Sequence, residues 1–325
     1  MKNYTIQPYR PTDYSAWNTF VASAKNATFL FHRDFMDYHS ERFTDYSLMI
    51  YAKDKLVALL PANKVNEVVF SHQGLTYGGL VYTQKTKLAD LILVFREILF
   101  FLHQKQIYKL QIKMIPSIYH KNPSQELEYA LFLAQAKLLR RDSMAVIDLS
   151  TKAAISKTRL SESKKGYKNH LEIREEENLE SFWNRILIPE LAKKHAAQPV
   201  HSLQEIQLLK SRFQKNIRQF NVYHNNIIIA GTTIFETETT AHSQYISGNE
   251  YKSTYGSLDF LYEYLITNVF QRKKFFDFGI SNENQGTILN SGLSFWKESF
   301  GAGTVVHDCY EIETINYSRL DSVFK

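Results

Sequence analysis

The stretch that decides the fold is "AHSQYISGNEYKSTYGSLDFLYEYLI", residues 241–266. It predicts a strand that ends near Ile246, a loop of small and polar residues, and an amphipathic helix that begins at about Ser257. The apolar side chains of the helix recur at helical spacing: Leu258, Leu261, Tyr262, Leu265, Ile266 and Val269. A helix N-terminus leaves backbone N–H groups unpaired and carries partial positive charge, which suits a phosphate. The loop is therefore a candidate anion site.

Two residues of this loop strengthen the interpretation. Lys252 could add a point charge, and Gly256 would let the backbone approach a ligand closely. The alternative is an ordinary helix start behind a solvent-facing loop. The residues predicted to bind a cofactor are Ile246, Ser247, Gly248, Lys252, Ser253, Thr254, Gly256 and Ser257.

The two halves of the chain show one order of predicted elements: hairpin, strand, loop, helix, strand, helix, strand. In the first half these fall at 46–65, 67–81, 88–105, 109–116, 124–139 and 143–150. In the second half they fall at 219–237, 240–249, 257–270, 274–281, 290–301 and 304–313. A duplicated α/β domain accounts for this order, with domains at 1–150 and 151–325; chance agreement of two mixed patterns is the alternative.

Composition narrows the class of protein. The chain has 325 residues, a formal net charge of +6 and a pI near 9.0, which is compatible with an anionic partner such as a nucleotide, RNA or a membrane surface. A single cysteine, Cys309, excludes an internal disulfide and a cysteine-based zinc site. The apolar window 88–105 is interrupted by Arg96 and Glu97, and the N-terminus lacks a signal-peptide core. We expect a soluble, cytoplasmic protein.

Side chains with possible chemistry occur outside the loop. Asp277 in "FDFGIS" lies between two phenylalanines, so strand alternation points it away from them, either as a general base or as a structural carboxylate. His201 precedes the Ser202–Glu205 capping box and either faces a cleft or has a plain surface role. His195 and His201 are six residues apart, which fits no metal pair, so no metal is expected.

The segment "SHQGLTYGGLV" (71–81) predicts a tight turn, either beside a cleft or purely structural. Its glycines do not form a dinucleotide-binding pattern, and neither a G-x-S-x-G nor a Walker phosphate motif occurs in the chain. The residues predicted to bind substrate are His72, Gln73, Tyr77, His195 and Asn282.

The second half resembles the GNAT superfamily of acyltransferases, and within it the FemAB-like branch and the BioF2-like acetyltransferase domain. The likeness is carried by "KKHAAQPVHSLQEIQLLKSRF" (193–213), "IIIAGTTIF…AHSQYISGN" (227–249) and "FFDFGISNENQGTILNSGLSFWKESFGA" (275–302). The first half looks like a degenerate partner domain, on its element order and "YGGLV". The resemblance implies an α/β fold of the α+β type: tandem GNAT-like domains, each a mixed, largely antiparallel sheet flanked by helices.

The resemblance also implies where a donor would bind. In GNAT folds two central strands splay apart, the donor's pantetheine lies in the gap, and its pyrophosphate sits on the loop that here spans 247–257. The sequence "EYKSTYGS" stands in place of the usual Arg/Gln-x-x-Gly-x-Gly/Ala signature. FemAB-type relatives instead use aminoacyl-tRNA and modify a peptidoglycan precursor. The helical hairpin by which many of them hold tRNA is not evident in this sequence.

The resulting functional prediction is an acyltransferase: an amine attacks a thioester or ester carbonyl. Backbone N–H groups near Tyr245 to Ser247 would polarise the carbonyl, Tyr245 or Tyr255 would protonate the leaving group, and Asp277 or His201 would relay the amine's proton. The favoured donor is acyl-CoA or an acyl carrier, and the resemblance suggests an amino sugar or cell-envelope precursor as acceptor. The alternatives are FemAB-type aminoacyl transfer, a catalytically silent GNAT-like binding module and a basic RNA-binding protein; DNA is not an expected partner.

Overall fold

The computed structural model describes residues 3–151 and 153–325, apart from the side chain of His195, and contains two compact units. The first unit runs to Asp142 and also takes in Val306–Lys325, and the second is Ser143–Val305. The units differ from the predicted domains 1–150 and 151–325 because the C-terminal segment returns to the first unit. There Ile312 pairs with Leu110 of another strand and is buried.

The first unit is a mixed α/β structure in which helix α3 covers the core. Its helices are α1 (Tyr14–Ser23), α2 (Arg33–Met36), α3 (Leu88–Gln104) and α4 (Glu126–Leu133). Its strands are β1 (Tyr4–Pro8), β2 (Thr44–Asp45), β3 (Leu48–Ala52), β4 (Lys55–Leu60), β5 (Asn63–Val65), β6 (Val68–Phe70), β7 (Val81–Tyr82) and β8 (Lys109–Lys113). Strand β9 (Lys137–Asp148) contains the division between the units.

The second unit contains the predicted strand, loop and helix of residues 241–266. Its helices are α5 (Lys157–Lys168), α6 (Glu180–Phe182), α7 (Ile188–His195), α8 (Leu203–Arg212), α9 (Lys252–Tyr255), α10 (Ser257–Tyr264) and α11 (Ser291–Glu298). Single π-helical turns at Trp183–Leu187 and Leu265–Val269 continue α6 and α10. Its strands are β10 (Glu172–Glu176), β11 (Ile217–His224), β12 (Ile227–Glu236), β13 (Thr240–Gly248), β14 (Phe275–Ile280), β15 (Asn282–Glu283) and β16 (Ile288–Leu289), and β17 (Gly303–Glu313) follows.

Both units have mixed, largely antiparallel sheets, as predicted. In the first unit the strand orders are β1-β3-β4-β7 and β17-β8-β6-β5-β2, in which β6 and β8 are parallel. In the second unit the order is β10-β11-β12-β13-β14-β9, in which β13 and β14 are parallel. None of the helices among the described residues is long and apolar enough to cross a bilayer.

Local sequence explains most of these elements, but the helix predicted at 124–139 differs from expectation. The hairpin β11–β12 turns at Asn225 and Asn226, whose positive φ angles suit a two-residue hairpin loop. The predicted helix at 124–139 ends at Leu133, because Gln135 takes a positive φ and β9 begins at Lys137. The polar segment after 150, which lacks apolar periodicity, forms α5.

The parallel pairing of β13 and β14 is short. It runs from Thr240–Phe275 to His242–Asp277 and ends there. Strand β13 continues through residues 243–248 with β12 on its other side, and a β-bulge falls at Gln244. Strand β14 shifts register after Asp277 and stays with β9. The two strands therefore part at the His242–Asp277 pair, which we call the fork.

Helix α10 holds β13 from one face of the sheet. Tyr262 is fully buried, and its hydroxyl is hydrogen-bonded to Ser243 of β13 and, at 3.0 Å, to Thr232 of β12. Helix α5 packs closely on α10 at two glycines. A Cβ on Gly166 would lie 2.5 Å from the Phe260 ring, and one on Gly256, whose φ is +63°, would lie 2.2 Å from the Glu162 carbonyl oxygen.

We expect Gly256→Ala to lower the free energy of unfolding of the second unit by about 2 kcal/mol or more, because alanine is disfavoured at positive φ and its Cβ would strike backbone. Gly303→Ala is the matched control, since a Cβ there meets no atom within 4 Å. Denaturant unfolding followed by tryptophan fluorescence measures both variants. Equal stability of the two would contradict the packing described for α5 and α10.

Candidate functional site

A cleft of about 480 Å³ opens in the second unit at the C-terminal end of β13. Helices α5, α7, α9, α10 and α11 contribute to its walls. Its apolar lining comes from Leu191, Ile246, Leu258, Leu293 and Trp296. Its polar lining comes from Arg159, Glu162, Glu190, Lys194, Ser247, Lys252, Ser253 and Asp259. An elongated ligand with one anionic end matches this combination of surfaces.

Two lysines share one end of the cleft. Lys194 forms an ion pair with Glu190 one turn earlier on α7. Burial lowers the pKa of Lys252, and the neighbouring Lys194 lowers it further. Two ammonium groups thus face a single carboxylate, Glu190, and an anion bound between them would relieve their repulsion.

A second charged pair lies between α5 and α10. The Arg159 guanidinium donates to Asp259 at 2.6 Å, and the Trp296 indole N–H donates to the same carboxylate oxygen at 3.2 Å. Burial raises the pKa of Asp259, and Arg159 opposes that shift. The two opposite charges form an ion pair in this wall of the cleft, although the buried Nε of Arg159 has no hydrogen-bond partner among the described residues.

The structure places half of the predicted cofactor-binding residues in the cleft wall. Ile246, Ser247, Lys252 and Ser253 line it, whereas Gly248, Thr254, Gly256 and Ser257 are not among its lining residues. The space beside Gly256 is taken by the backbone of α5, and Ser257 is fully buried. Gly256 therefore permits helix packing, and the first residue of α10 faces protein, whereas Leu258 and Asp259 of the same turn line the cleft.

Tyr245 and His201, two of the predicted catalytic residues, are in contact. The Tyr245 hydroxyl oxygen lies 2.5 Å from His201 Nδ1 and accepts the His201 backbone N–H at 3.3 Å. The hydroxyl oxygen has a second acceptor lone pair, so the direction of its bond with Nδ1 is set by the tautomer of His201. Both residues are buried, and the Trp183 ring packs edge-on against Tyr245 at 4.9 Å between centroids. This pair can pass a proton between phenol and imidazole.

Asp277 lies at the fork and is buried away from its flanking phenylalanines, as alternation predicted. Phe276 and Phe278 pack on Tyr262 on the α10 side of the sheet. The Asp277 carboxylate turns the other way, where Oδ2 lies 2.8 Å from His242 Nδ1 and Oδ1 accepts the Gly279 N–H at 2.7 Å. His242 belongs to no recognisable sequence motif, and strand alternation on β13 is the signal that could have identified it.

Lysine 297 of α11 reaches the same region. Its ammonium group donates to the carbonyl oxygens of Gly279 and Ile280, at 3.1 and 2.6 Å, and the residue is buried. Burial lowers the pKa of Lys297 to about 8, and Asp277 opposes the shift. This contact anchors the end of β14 where it has left β13.

The remaining candidates of the second unit lie outside the cleft lining, as Tyr245, His201 and Asp277 do. Tyr255 packs on the His224 ring at 4.5 Å between centroids. Asn282 accepts from the backbone N–H and hydroxyl of Ser143, at 2.7 and 2.9 Å, so it joins two strands. The side chain of His195 falls outside the described part of the chain.

His72, Gln73 and Tyr77 belong to the first unit and bond to residues of that unit; His72 and Tyr77 are buried, whereas Gln73 is exposed. The Gln73 N–H donates to Asn63 at 2.8 Å, and the Asn63 amide donates back to the Gln73 side chain. The Tyr77 hydroxyl is 2.9 Å from that of Thr28. His72 is buried, and its ring stacks on that of His39 at 5.3 Å between centroids. These contacts give the predicted turn a structural role in its own unit.

The buried His72 makes the first unit sensitive to acid. Burial, aided by His39, lowers the pKa of His72 to about 3, against about 6.5 in an unfolded chain. Its stabilising contribution is complete above pH 6.5 and is lost as the pH falls towards 3. We expect the free energy of unfolding of the first unit to fall by about 2 kcal/mol between pH 7 and pH 5 for this reason.

His72→Asn should remove this part of the pH dependence, because an asparagine side chain does not titrate. Its amide oxygen can still accept the Gly74 N–H that Nδ1 accepts at 3.2 Å, so the turn is kept. Denaturant unfolding at pH 7 and pH 5 measures it, with His103→Asn in the same unit as control. An unchanged difference between the two pH values in His72→Asn would refute the assignment.

Comparison with solved structures gives matches over nearly the whole chain. FemX aligns with a TM-score of 0.67 at 10% identity, covering 98% of this chain and 99% of FemX. L-PGS from Bacillus licheniformis aligns with a TM-score of 0.58 at 14% identity, covering 97% and 98%. A tandem GNAT protein from the clavulanic acid biosynthesis pathway aligns with a TM-score of 0.53 at 9% identity, covering 96% and 99%.

These matches confirm the fold expected from the sequence resemblance, that of tandem GNAT and FemAB-like proteins. At such identities the similarity concerns the fold. No protein-family model and no curated protein matches the chain.

Proposed function

We propose that this chain is an N-acyltransferase that moves an acyl group from a thioester donor, acyl-CoA or an acyl carrier, to an amine. The observation that carries the proposal is the parting of β13 and β14 in a GNAT-type fold, with a lysine pair in the cleft at the open end. The amino sugar or cell-envelope precursor proposed as acceptor comes from the sequence resemblance alone.

The dimensions of the gap suit such a donor. Residues 243–248 of β13 extend from the fork to the cleft. At about 3.3 Å per residue they span about 20 Å. A donor whose anionic group contacts Lys252 and Lys194 would run an extended amide-containing arm along β13 and bring its carbonyl carbon near the fork.

Two groups of β13 take proposed roles at that carbonyl. Backbone N–H groups between Tyr245 and Ser247 would polarise it as it becomes tetrahedral. Of the two tyrosines considered from the sequence, Tyr245 is preferred as proton donor to the leaving thiolate, because His201 can resupply its proton at 2.5 Å. Tyr255 packs on His224 and is the weaker candidate.

Aminoacyl transfer from tRNA is the second candidate. Its support is the match to FemX and L-PGS along nearly the whole chain. The acceptor chemistry would be the same, with an ester in place of the thioester. A nucleotide phosphate of the tRNA end would then occupy the lysine pair.

Calorimetric titration with acetyl-CoA and with a longer acyl-CoA tests the first candidate. We expect saturable binding, weakened about 10-fold or more in Lys252→Ala, because a charge-assisted hydrogen bond is worth about 1.5–3 kcal/mol. Lys164→Ala is the matched control, because it removes the same charge from an exposed position of α5. Lys164 does not line the cleft.

Two outcomes would count against the first candidate. Equal weakening in both lysine variants would show that general charge, not the cleft, attracts the donor. Failure of both acyl-CoA compounds to bind would exclude CoA, and titration with charged and uncharged tRNA would then decide between aminoacyl transfer and a silent binding module. A preference for charged tRNA that depends on Lys252 would establish the second candidate.

A further inference from the structure

The fork brings together a histidine and a carboxylate whose arrangement fixes the orientation of the imidazole. His242 and Asp277 are directly opposite in the last pair of the β13–β14 ladder. Asp277 is 1% exposed, and an ionised carboxylate only accepts hydrogen bonds, so the 2.8 Å contact requires a proton on His242 Nδ1. The other ring nitrogen, Nε2, is then the atom that can take up a proton.

The position of the pair on the sheet matches the path proposed for the donor. His242 is opposite Phe235, and Tyr245 is opposite Thr233, on the face away from Tyr262. The His242 side chain is 13% exposed, so it is within reach of solvent, unlike Asp277. The bulge at Gln244 separates His242 from the N–H groups proposed to polarise the carbonyl.

Charged and titratable groups lie near the pair on several elements. From β14 comes Asp277 itself, and from α11 comes Lys297, whose ammonium group is bound to the carbonyls of Gly279 and Ile280. On the same face of the sheet Tyr245 carries the bond to His201. The neighbours of the pair across the ladders, Phe235 and Val146, do not titrate.

We propose that His242 is the general base of the transfer reaction and that Asp277 is its positioning residue; this rests on the proposed function. His242 Nε2 takes a proton from the acceptor amine as its nitrogen attacks the donor carbonyl carbon. The C–N bond forms, the C–S bond breaks, and the leaving sulfur receives a proton from Tyr245. The Tyr245–His201 pair and the His242 imidazolium then exchange protons with solvent, so thioester and amine give amide and thiol.

Asp277 acts through His242 in this scheme, and not directly on the amine. Its carboxylate holds the Nδ1–H tautomer and stabilises the imidazolium that forms, while the Gly279 N–H fixes the carboxylate. This revises the relay predicted for Asp277 from the sequence, because a carboxylate buried behind the imidazole does not reach the substrate.

The test measures thiol release from acetyl-CoA, with glucosamine as amine probe, in wild type, His242→Gln, Asp277→Asn and the control His170→Gln. His170 is an exposed histidine of the same unit. We expect His242→Gln to lower kcat about 100-fold, as loss of a general base does, and to remove the acid limb of the pH–rate profile. Asp277→Asn should lower kcat about 10-fold or more and change the pH at which the acid limb of the pH–rate profile occurs. The KM for acetyl-CoA and the calorimetric Kd should stay within about twofold in both.

The other outcomes distinguish a failure of the general-base proposal from a failure of the proposed acyltransferase function. Wild-type kcat and pH profile in His242→Gln would overturn the general base while leaving the acyltransferase standing. A drop in kcat with the pH profile unchanged would show a structural role and also overturn it. Saturable donor binding without thiol release in the wild type would overturn it in favour of a silent module. Absence of donor binding would overturn the proposed CoA-dependent function first, and the general base with it.

Discussion

The second unit depends on one constraint: β13 and β14 are held together for three residue pairs and then held apart. On one side β13 stays with β12 up to Gly248, and Ser243 is tied to Tyr262 of α10. On the other side β14 stays with β9, and the buried Lys297 ammonium binds the carbonyls at its end. Backbone polar groups along the gap then need partners other than a strand. A ligand with its own amides can supply them, which is the physical basis for proposing a site in the gap.

The electrostatics of the cleft follow from the same geometry. The strand ends bring α7 and α9 together, which places Lys194 beside Lys252 with Glu190 as the shared carboxylate. At the other wall, Arg159 and Asp259 neutralise each other. Two of the three basic side chains of the lining, Lys194 and Lys252, therefore lie together at one end. The fork lies at the other end of the gap, so a donor bound as proposed would have its anionic end at the lysine pair.

Local sequence signals predicted the parts of the fold that local forces decide. The paired asparagines 225 and 226 fixed the β11–β12 turn, and the Ser202–Glu205 box started α8, with both of its hydrogen bonds present. Alternation correctly turned Asp277 away from its two phenylalanines. Contacts between distant segments were not predictable in this way. The pairing of β17 with β8, the packing of polar α5 on Gly256 and the partner of Asp277 all join residues far apart in sequence.

The first unit has a comparable pair of parallel strands, but there a loop of the chain bonds to the second strand beyond the last residue pair. Strands β6 and β8 are also parallel for three residue pairs, from Val68–Lys109 to Phe70–Gln111. The following loop then folds back: Gly78 donates to the Lys113 carbonyl at 2.7 Å, and the Lys113 N–H donates to the Ser71 hydroxyl at 3.0 Å. A Cβ on Gly78 would lie 1.4 Å from the Ser71 carbonyl oxygen, so only glycine permits this return. In the first unit the chain's own loop bonds where β6 would continue beside β8; in the second unit β13 and β14 separate. That difference, rather than any catalytic motif, is the physical reason to place the chemistry in the second unit.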